Sequence, residues 1–211
     1  IIFRKSIINA DVHIAKSIKV AEAAKVIENA QRDLNVAFMN EINKLFSKMD
    51  LNIYDILKAA NTKWNFLNFE PGMVGGHCIS VDPYYLMEKA KKINQNLELI
   101  STARKTNDNY YKFVSKRIRK ITTSKKKNYP KVLILGYTFK ENCTDTRNTG
   151  VKNLYLDLIK YFGNKVFIYD PLIKFKFDEN FNFIKNINNH IKTFDVIILC
   201  VKHDNFLKLK I

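Results

Sequence analysis

Between Ile18 and about Met49 the apolar positions Val20, Ala24, Ile27, Leu34, Ala37, Phe38, Ile42, Leu45 and Phe46 recur at helical spacing, and neither glycine nor proline interrupts them. That period predicts one long helix, about 45 Å at 1.5 Å per residue. Few globular helices are so long, so this one is expected to cross between domains or to pack against a second subunit. A shorter helix is expected over IYDILKAA (53–60), a loop over 61–82, then helices from near Pro83 to about Lys92 and from about Leu97 to Ile121.

The period changes after the polar stretch TTSKKKNYPK. KVLILGY (131–137) and FDVIILCV (194–201) are continuous apolar runs of strand length, and KVFIYDP (165–171) is a third, closed by Pro171. An amphipathic helix is expected from about Gly150 to Tyr161, stopped at Gly163. Strands apolar throughout, alternating with a helix, predict a parallel sheet covered on its faces, and hence an α/β fold. No internal repeat is present, and the run Lys125-Lys126-Lys127 reads as a solvated linker.

Composition narrows the class only a little. With 46% hydrophobic and 12% aromatic residues the chain can fill a core in one large or two small domains. VLIL (132–135) and VIILCV (196–201) are far too short to cross a bilayer, and no charged leader precedes a long apolar stretch, so no membrane partner and a cytoplasmic setting are expected. Cys78, Cys143 and Cys200 cannot all pair with one another and match no zinc spacing. Free thiols in a reducing compartment and no metal site are the expectation. The net charge of +16 is mostly lysine spread along the chain, so a nucleic-acid partner is not expected, although an anionic substrate suits the balance.

The candidate chemistry centres on PGMVGGHCISVD (71–82). Gly72, Gly75 and Gly76 precede Cys78, and Asp82 follows it by four residues. A turn of helix over 78–82 brings sulfur and carboxylate to one side. Cys78 can then add to a carbonyl, and Asp82 can orient or deprotonate a water that attacks an acyl group on sulfur. The plainer readings are a buried structural thiol and a helix-start carboxylate beside Pro83. Lys25 and Asn29, at i and i+4 on the long helix, can offer a cation and an amide to an oxygen that gains charge; the plainer reading is a solvated lysine paired with Glu22 or Glu28. His77 adjoins Cys78, but neighbouring side chains usually point apart, so neither a Cys-His dyad nor a metal site is assigned. Lys140 and Arg147 fall in the loop after the first sheet strand, where open parallel sheets bind ligands and where both suit phosphate. Asp170 ends the second strand like the acid of a dinucleotide site, yet Gly136 is followed by YTFKEN without the further glycines that admit a pyrophosphate.

Three stretches in order, SIKVAEAAKVIENAQRDLNVAFMNE (17–41), NFEPGMVGGHCISVDPYYL (68–86) and KVLILGYTFKENCTDTRNTG (131–150), closely resemble the UDP-glucose and UDP-N-acetylhexosamine 6-dehydrogenase family. The form is most similar to the branch that makes UDP-N-acetylhexosaminuronic acids for surface polysaccharides from UDP-N-acetylgalactosamine or UDP-N-acetylglucosamine. The resemblance implies a central helical, dimer-forming domain over 17–122, a linker at 123–130 and a Rossmann-like UDP-sugar-binding domain over 131–211. Residues 1–16 would be the last edge of an NAD-binding domain.

By the same resemblance, Cys78 attacks the C6 aldehyde left by a first oxidation, a second oxidation gives a thioester, and water hydrolyses it. Two NAD are used per sugar. Lys25 and Asn29 match the oxyanion-stabilising pair and Asp82 the water-orienting carboxylate. Phe69 and Gly72 match the sugar-nucleotide loop, Gly75 and Gly76 let the substrate lie against backbone, Lys140 lies near the substrate and Arg147 reaches the cofactor. The long helix matches the homodimer helix. The family's glycine-rich NAD-binding turn is not found in these 211 residues, so the chain alone is expected to be inactive; the alternatives are a UDP-glucose 6-dehydrogenase or a non-catalytic binding and dimerisation remnant.

Overall fold

A computed structural model of the chain describes residues 12–124, 130–173, 181–187 and 191–209. Of the domain edge expected over 1–16, residues 1–11 lie outside this description; of the linker expected over 123–130, so do residues 125–129. The lysine run 125–127 falls among them.

The long helix, α1 (Ile18–Lys48), starts where the Ser17 hydroxyl accepts the Val20 amide (3.3 Å). It ends at Met49, followed by Asp50 with φ of 54°. Periodicity predicts the helix but not its buried face. Inward lie Asn29, Ala30, Asp33, Ala37, Met39, Asn40 and Asn43, whereas Val20, Ile27, Phe38 and Leu45 of the apolar stripe are exposed. The inward polar side chains are tolerated because they find hydrogen-bond partners; the outward apolar ones stay about half exposed or more.

α2 (Ile53–Ala60) is capped by Asn52, whose side chain accepts the Tyr54 amide, and it packs Ile53 and Leu57 on Met39 of α1. α3 (Asp82–Lys91) carries Pro83 in its first turn, where a missing amide hydrogen does no harm. A single helix expected from Leu97 to Ile121 is in fact two, α4 (Glu98–Asp108) and α5 (Tyr110–Ser124). The break is chemical: the Asn109 side-chain amide donates to the Lys105 carbonyl (2.8 Å), taking the acceptor that its own backbone amide would use in a continuous helix.

Strands β1 (Val132–Leu135), β2 (Val166–Tyr169) and β3 (Val196–Leu199) form a parallel sheet in the order β2-β1-β3, with Val132 opposite both Val166 and Val196. α6 (Gly150–Phe162) carries the chain from β1 to β2 and ends at Gly163, where φ is 57°. Val132 and Ile134 point into a core shared with Leu154 and Leu158 of α6, while Leu133 and Leu135 point the other way onto Ile187, Ile191 and Phe206. Central β1 is thus covered on both faces, which is why its four residues are apolar without alternation. The helical part and the sheet share this core: Ile118 of α5 lies in it, and the Arg119 guanidinium stacks over the Tyr161 ring of α6 at 3.7 Å. The strand order reverses between β1 and β3, placing the loops after these strands at the crevice where such sheets take ligands.

Candidate active site

The cysteine segment runs from α1 to the crevice and is held on both sides. At its start the Asn40 side chain brackets the Gly72 peptide, accepting from Gly72 N (2.8 Å) and donating to Gly72 O (2.9 Å). In its middle Gly76 adopts a φ of 90°, its amide donates to Asn148 O (3.2 Å), and its carbonyl accepts from Ser80 Oγ (2.6 Å) and Asn148 Nδ2 (3.3 Å). The room left by the two glycines is taken by this chain: a Cβ on Gly75 would lie 2.7 Å from Asn148 O, and one on Gly76 2.7 Å from the Phe139 ring. Gly72, by contrast, has open space where a Cβ would stand.

Residues 78–82 do form a turn, with the Val81 and Asp82 amides both donating to the Cys78 carbonyl (3.0 and 2.8 Å). Asp82 is then joined to α1, because buried Asn29 donates to its carboxylate (Nδ2 to Oδ2, 2.6 Å). Cys78 is exposed. The structure therefore ties Asn29, Asp82 and the Cys78 turn into one hydrogen-bonded unit. Lys25, one turn before Asn29, instead meets Glu28 at 2.5 Å on an exposed face, the plainer of the two arrangements the sequence allows. Arg32 holds Glu28 from its other side at 2.9 Å, and the pairing with Lys25 in particular lowers the Glu28 carboxyl below its usual range.

Phe69 packs beside the Met39, Ile53 and Leu57 cluster, anchoring the loop from its apolar side. From the sheet, the loop after β1 brings Phe139, Lys140, Asp145 and Arg147 toward the segment. Lys140 is exposed, with its ammonium 5.5 Å from the centre of the Phe139 ring. Arg147 forks onto Asp145 (Nη2 to Oδ2 2.8 Å, Nε to Oδ1 3.0 Å), and His77 Nε2 meets the same carboxylate at 2.7 Å. Arg147 first and His77 second hold the Asp145 carboxyl well below the usual carboxylate range. His77 thus faces across to the sheet rather than pairing with Cys78, in keeping with the expectation for adjacent side chains. Cys143 accepts the Asp145 amide (3.4 Å), and burial pushes the Cys200 thiol up to about 12.

Two polar clusters were not foreseen from the sequence, although Asp170 of the second stands out there as a strand-end acid. Asn40 also donates to Asn107 Oδ1 (2.8 Å); Asn107 donates to Asp33 Oδ1 (2.7 Å) and Asp33 O (2.8 Å); Arg104 bridges Asp33 and Asp108; and the Tyr84 hydroxyl donates to Asp108. Burial pushes the Asp33 carboxyl up, against the pull of Arg104 and Asn107. The usable signal was on α1 itself, where Asn29, Asp33 and Asn40 share one helical face. At the crevice, fully buried His203 accepts the Asn142 amide on Nδ1 (3.0 Å), which leaves Nε2 as its protonated nitrogen, 3.1 Å from Asp170 Oδ2 and 3.2 Å from Thr138 Oγ1.

This second cluster bears on a dinucleotide in the sheet. The backbone amides of Tyr137 and Thr138, which follow the turn glycine, already donate to Asp170 Oδ2 (2.7 and 3.2 Å). Gly136, at φ of 85°, is closed upon by Val201, 2.6 Å from where a Cβ would stand. The turn after β1 does not fit a pyrophosphate, in agreement with the missing glycines. Among the described residues no helix is long and apolar enough to cross a membrane, and no cluster of three or more His, Cys, Asp or Glu side chains could hold a metal ion.

Comparison with known proteins gives two matches to one family: the central domain of the UDP-glucose/GDP-mannose dehydrogenase family over residues 19–109, and its UDP binding domain over residues 133–211. A UDP-N-acetyl-D-glucosamine 6-dehydrogenase of Salmonella typhi is 44% identical over 208 residues, 97% of this chain and 49% of that protein. Protein CapL of Staphylococcus aureus is 43% identical over the same shares. Among solved structures, the UDP-N-acetyl-mannosamine dehydrogenase Cap5O from S. aureus superposes with a TM-score of 0.76 at 28% identity, over 92% of this chain and 44% of that one. The chain spans about half the length of the curated relatives it matches.

Proposed function

Because this chain belongs to the UDP-glucose/GDP-mannose dehydrogenase family, we propose that it is the nucleophile-bearing and UDP-binding part of an NAD-dependent UDP-N-acetylhexosamine 6-dehydrogenase, making uronic acid precursors of surface polysaccharides. The observation that carries this reading is the single hydrogen-bonded unit of Asn29, Asp82 and the Cys78 turn, with an exposed thiol at its centre.

Cys78 as thiolate adds to the C6 aldehyde, forming the carbon–sulfur bond and placing negative charge on the former carbonyl oxygen. Asn29 and Lys25 face that charge. Lys25 can leave Glu28 at small cost, since ion pairs between exposed side chains are weak in water. After the adduct has become a thioester, Asp82 orients a water whose attack breaks the carbon–sulfur bond, returning the thiol and releasing the carboxylate. NAD, two per sugar, would supply the hydride acceptor for both oxidations; the turn after β1 is not assigned to hold it, and Arg147 is the one residue proposed to reach it. Phe69, Gly72, Lys140 and the backbone of Gly75 and Gly76, whose Cβ side is already filled by Asn148 and Phe139, are assigned to the sugar-nucleotide side, with the division into a helical part (17–122), a linker (123–130) and a sheet part (131–211). Exposed Ile27, Phe38 and Leu45 would be covered in a homodimer formed through α1, and three free cysteines suit a cytoplasmic setting.

The test joins this chain to a nicotinamide-binding domain and counts NADH against acid formed from UDP-N-acetylglucosamine, UDP-N-acetylgalactosamine and UDP-glucose. Two NADH per N-acetylated sugar, with acid formation lost in Cys78→Ser, is the expected result. Undiminished acid formation by that variant ends the covalent reading. Calorimetry on the chain alone should show UDP-sugar binding without turnover.

A further inference from the structure

Polar side chains of α1, α3 and α4, buried from Asn40 to Arg104 and exposed at Asp108 and Tyr84, trace one connected path, and its two ends are the two ends of the cysteine segment. From Gly72, six residues before Cys78, the path runs through Asn40 and Asn107 to Asp33; from there Arg104 carries it to Asp108 and the Tyr84 hydroxyl, six residues after Cys78. Arg104 also lies over the Tyr84 ring at 5.5 Å.

Stability does not account for this arrangement. Asp33, Asn40 and Arg104 are at most 3% exposed, and Asp33 Oδ2 and Arg104 Nε are buried without a hydrogen-bond partner. A buried ion pair left partly unsatisfied commonly contributes less than apolar side chains of the same volume. What the polar path does supply is direction. Its hydrogen bonds fix the Gly72 peptide and the Tyr84 side chain at set positions relative to α1, and α1 also carries Lys25 and Asn29. An apolar contact at the same places would let the segment slide.

We propose that Asn40 and Arg104 are positioning residues that hold both ends of segment 72–84 and so register Cys78 and Asp82 against Lys25 and Asn29. This rests on the reading of Cys78 as the nucleophile. The geometric half of the inference stands apart from that reading and can be tested apart from it.

Two variants cut the path with apolar side chains of similar size: Asn40→Leu releases Gly72, and the double variant Asp33→Leu/Arg104→Met releases Tyr84. Amide hydrogen exchange is followed at Val81 and Asp82, whose N–H groups close the Cys78 turn. Exchange there should quicken by about tenfold or more, while amides of β1 and α6 keep their rates. The melting temperature of the double variant should stay within a few degrees of the parent or rise. In the enzyme joined to its nicotinamide-binding domain, kcat should fall by about tenfold or more in both variants, with the KM for the UDP-sugar little changed in the double variant, because a shift of about 1 Å at reacting atoms is enough for such a loss. A purely structural role predicts the reverse, with activity following the melting temperature. Unchanged exchange at Val81 and Asp82 in both variants overturns the inference, as does full kcat with the path removed. A parent enzyme that oxidises no UDP-sugar overturns the functional reading instead, and the exchange rates still decide the positioning role.

Discussion

Gly76→Ala tests whether the cysteine segment is seated on the sheet in the way described. Two penalties meet at this position. Its φ of 90° belongs to glycine, and forcing an L-residue into left-handed backbone costs about 1–2 kcal/mol. The added Cβ would stand 2.7 and 2.9 Å from Phe139 ring carbons, well inside ordinary contact, so the ring must move, and overpacking of this kind costs about 1–3 kcal/mol. Together they predict a loss of about 2–5 kcal/mol, or roughly 5–15 °C in melting temperature for a chain of this size. Phe139 also contacts the His77 ring, 5.8 Å between centroids, so the seam beside Cys78 is disturbed as well. Gly72→Ala is the matched control: nothing lies within 4 Å of the place its methyl would take and its φ is not left-handed, so it should be neutral or slightly stabilising. Melting of both variants and the parent, followed by far-UV circular dichroism, is the assay. A Gly76→Ala melting point within about 1 °C of the parent, or an equal loss in Gly72→Ala, would refute the seating.

Thr149 caps α6 by accepting the Val151 amide (3.2 Å) while buried, so Thr149→Ala should lose about 1–2 kcal/mol and Thr149→Ser much less, read as urea midpoints at unchanged slope. Iodoacetamide at pH 8 should label exposed Cys78 first and Cys200 last, because a thiol pushed up to about 12 is thiolate to only about one part in ten thousand there; peptide mass spectrometry gives the order. Asp145 is depressed in the folded state, so what its ion pairs contribute to stability is complete above the ordinary carboxylate pKa of about 4 and lost as the pH falls through the lower folded value. The melting difference between the parent and Asp145→Asn should therefore shrink as the pH is taken below about 4, and a difference that grew on acidification would contradict the pairing.

Local pattern carries far in this chain because helix and strand periods are set by neighbours in sequence. An uninterrupted apolar period dictated α1, continuous apolar runs between turn residues dictated the three strands, and the absence of glycines after Gly136 foretold a β1 turn that admits no pyrophosphate. The spacing of Cys78 and Asp82 allowed a common turn, and only the folded chain shows that it forms. Which face of α1 turns inward could not be read this way: Asn29, Asp33 and Asn40 can be buried only because Asp82, Arg104, Asn107 and the Gly72 peptide, 32 to 74 residues distant, supply their partners. The same holds for Gly75 and Gly76, whose missing side chains make room for Phe139 and Asn148, and for the pairing of His77 with Asp145 across the seam. Hydrophobic period fixes what each segment becomes; where a polar atom can be buried depends on a partner that only the folded chain brings to it.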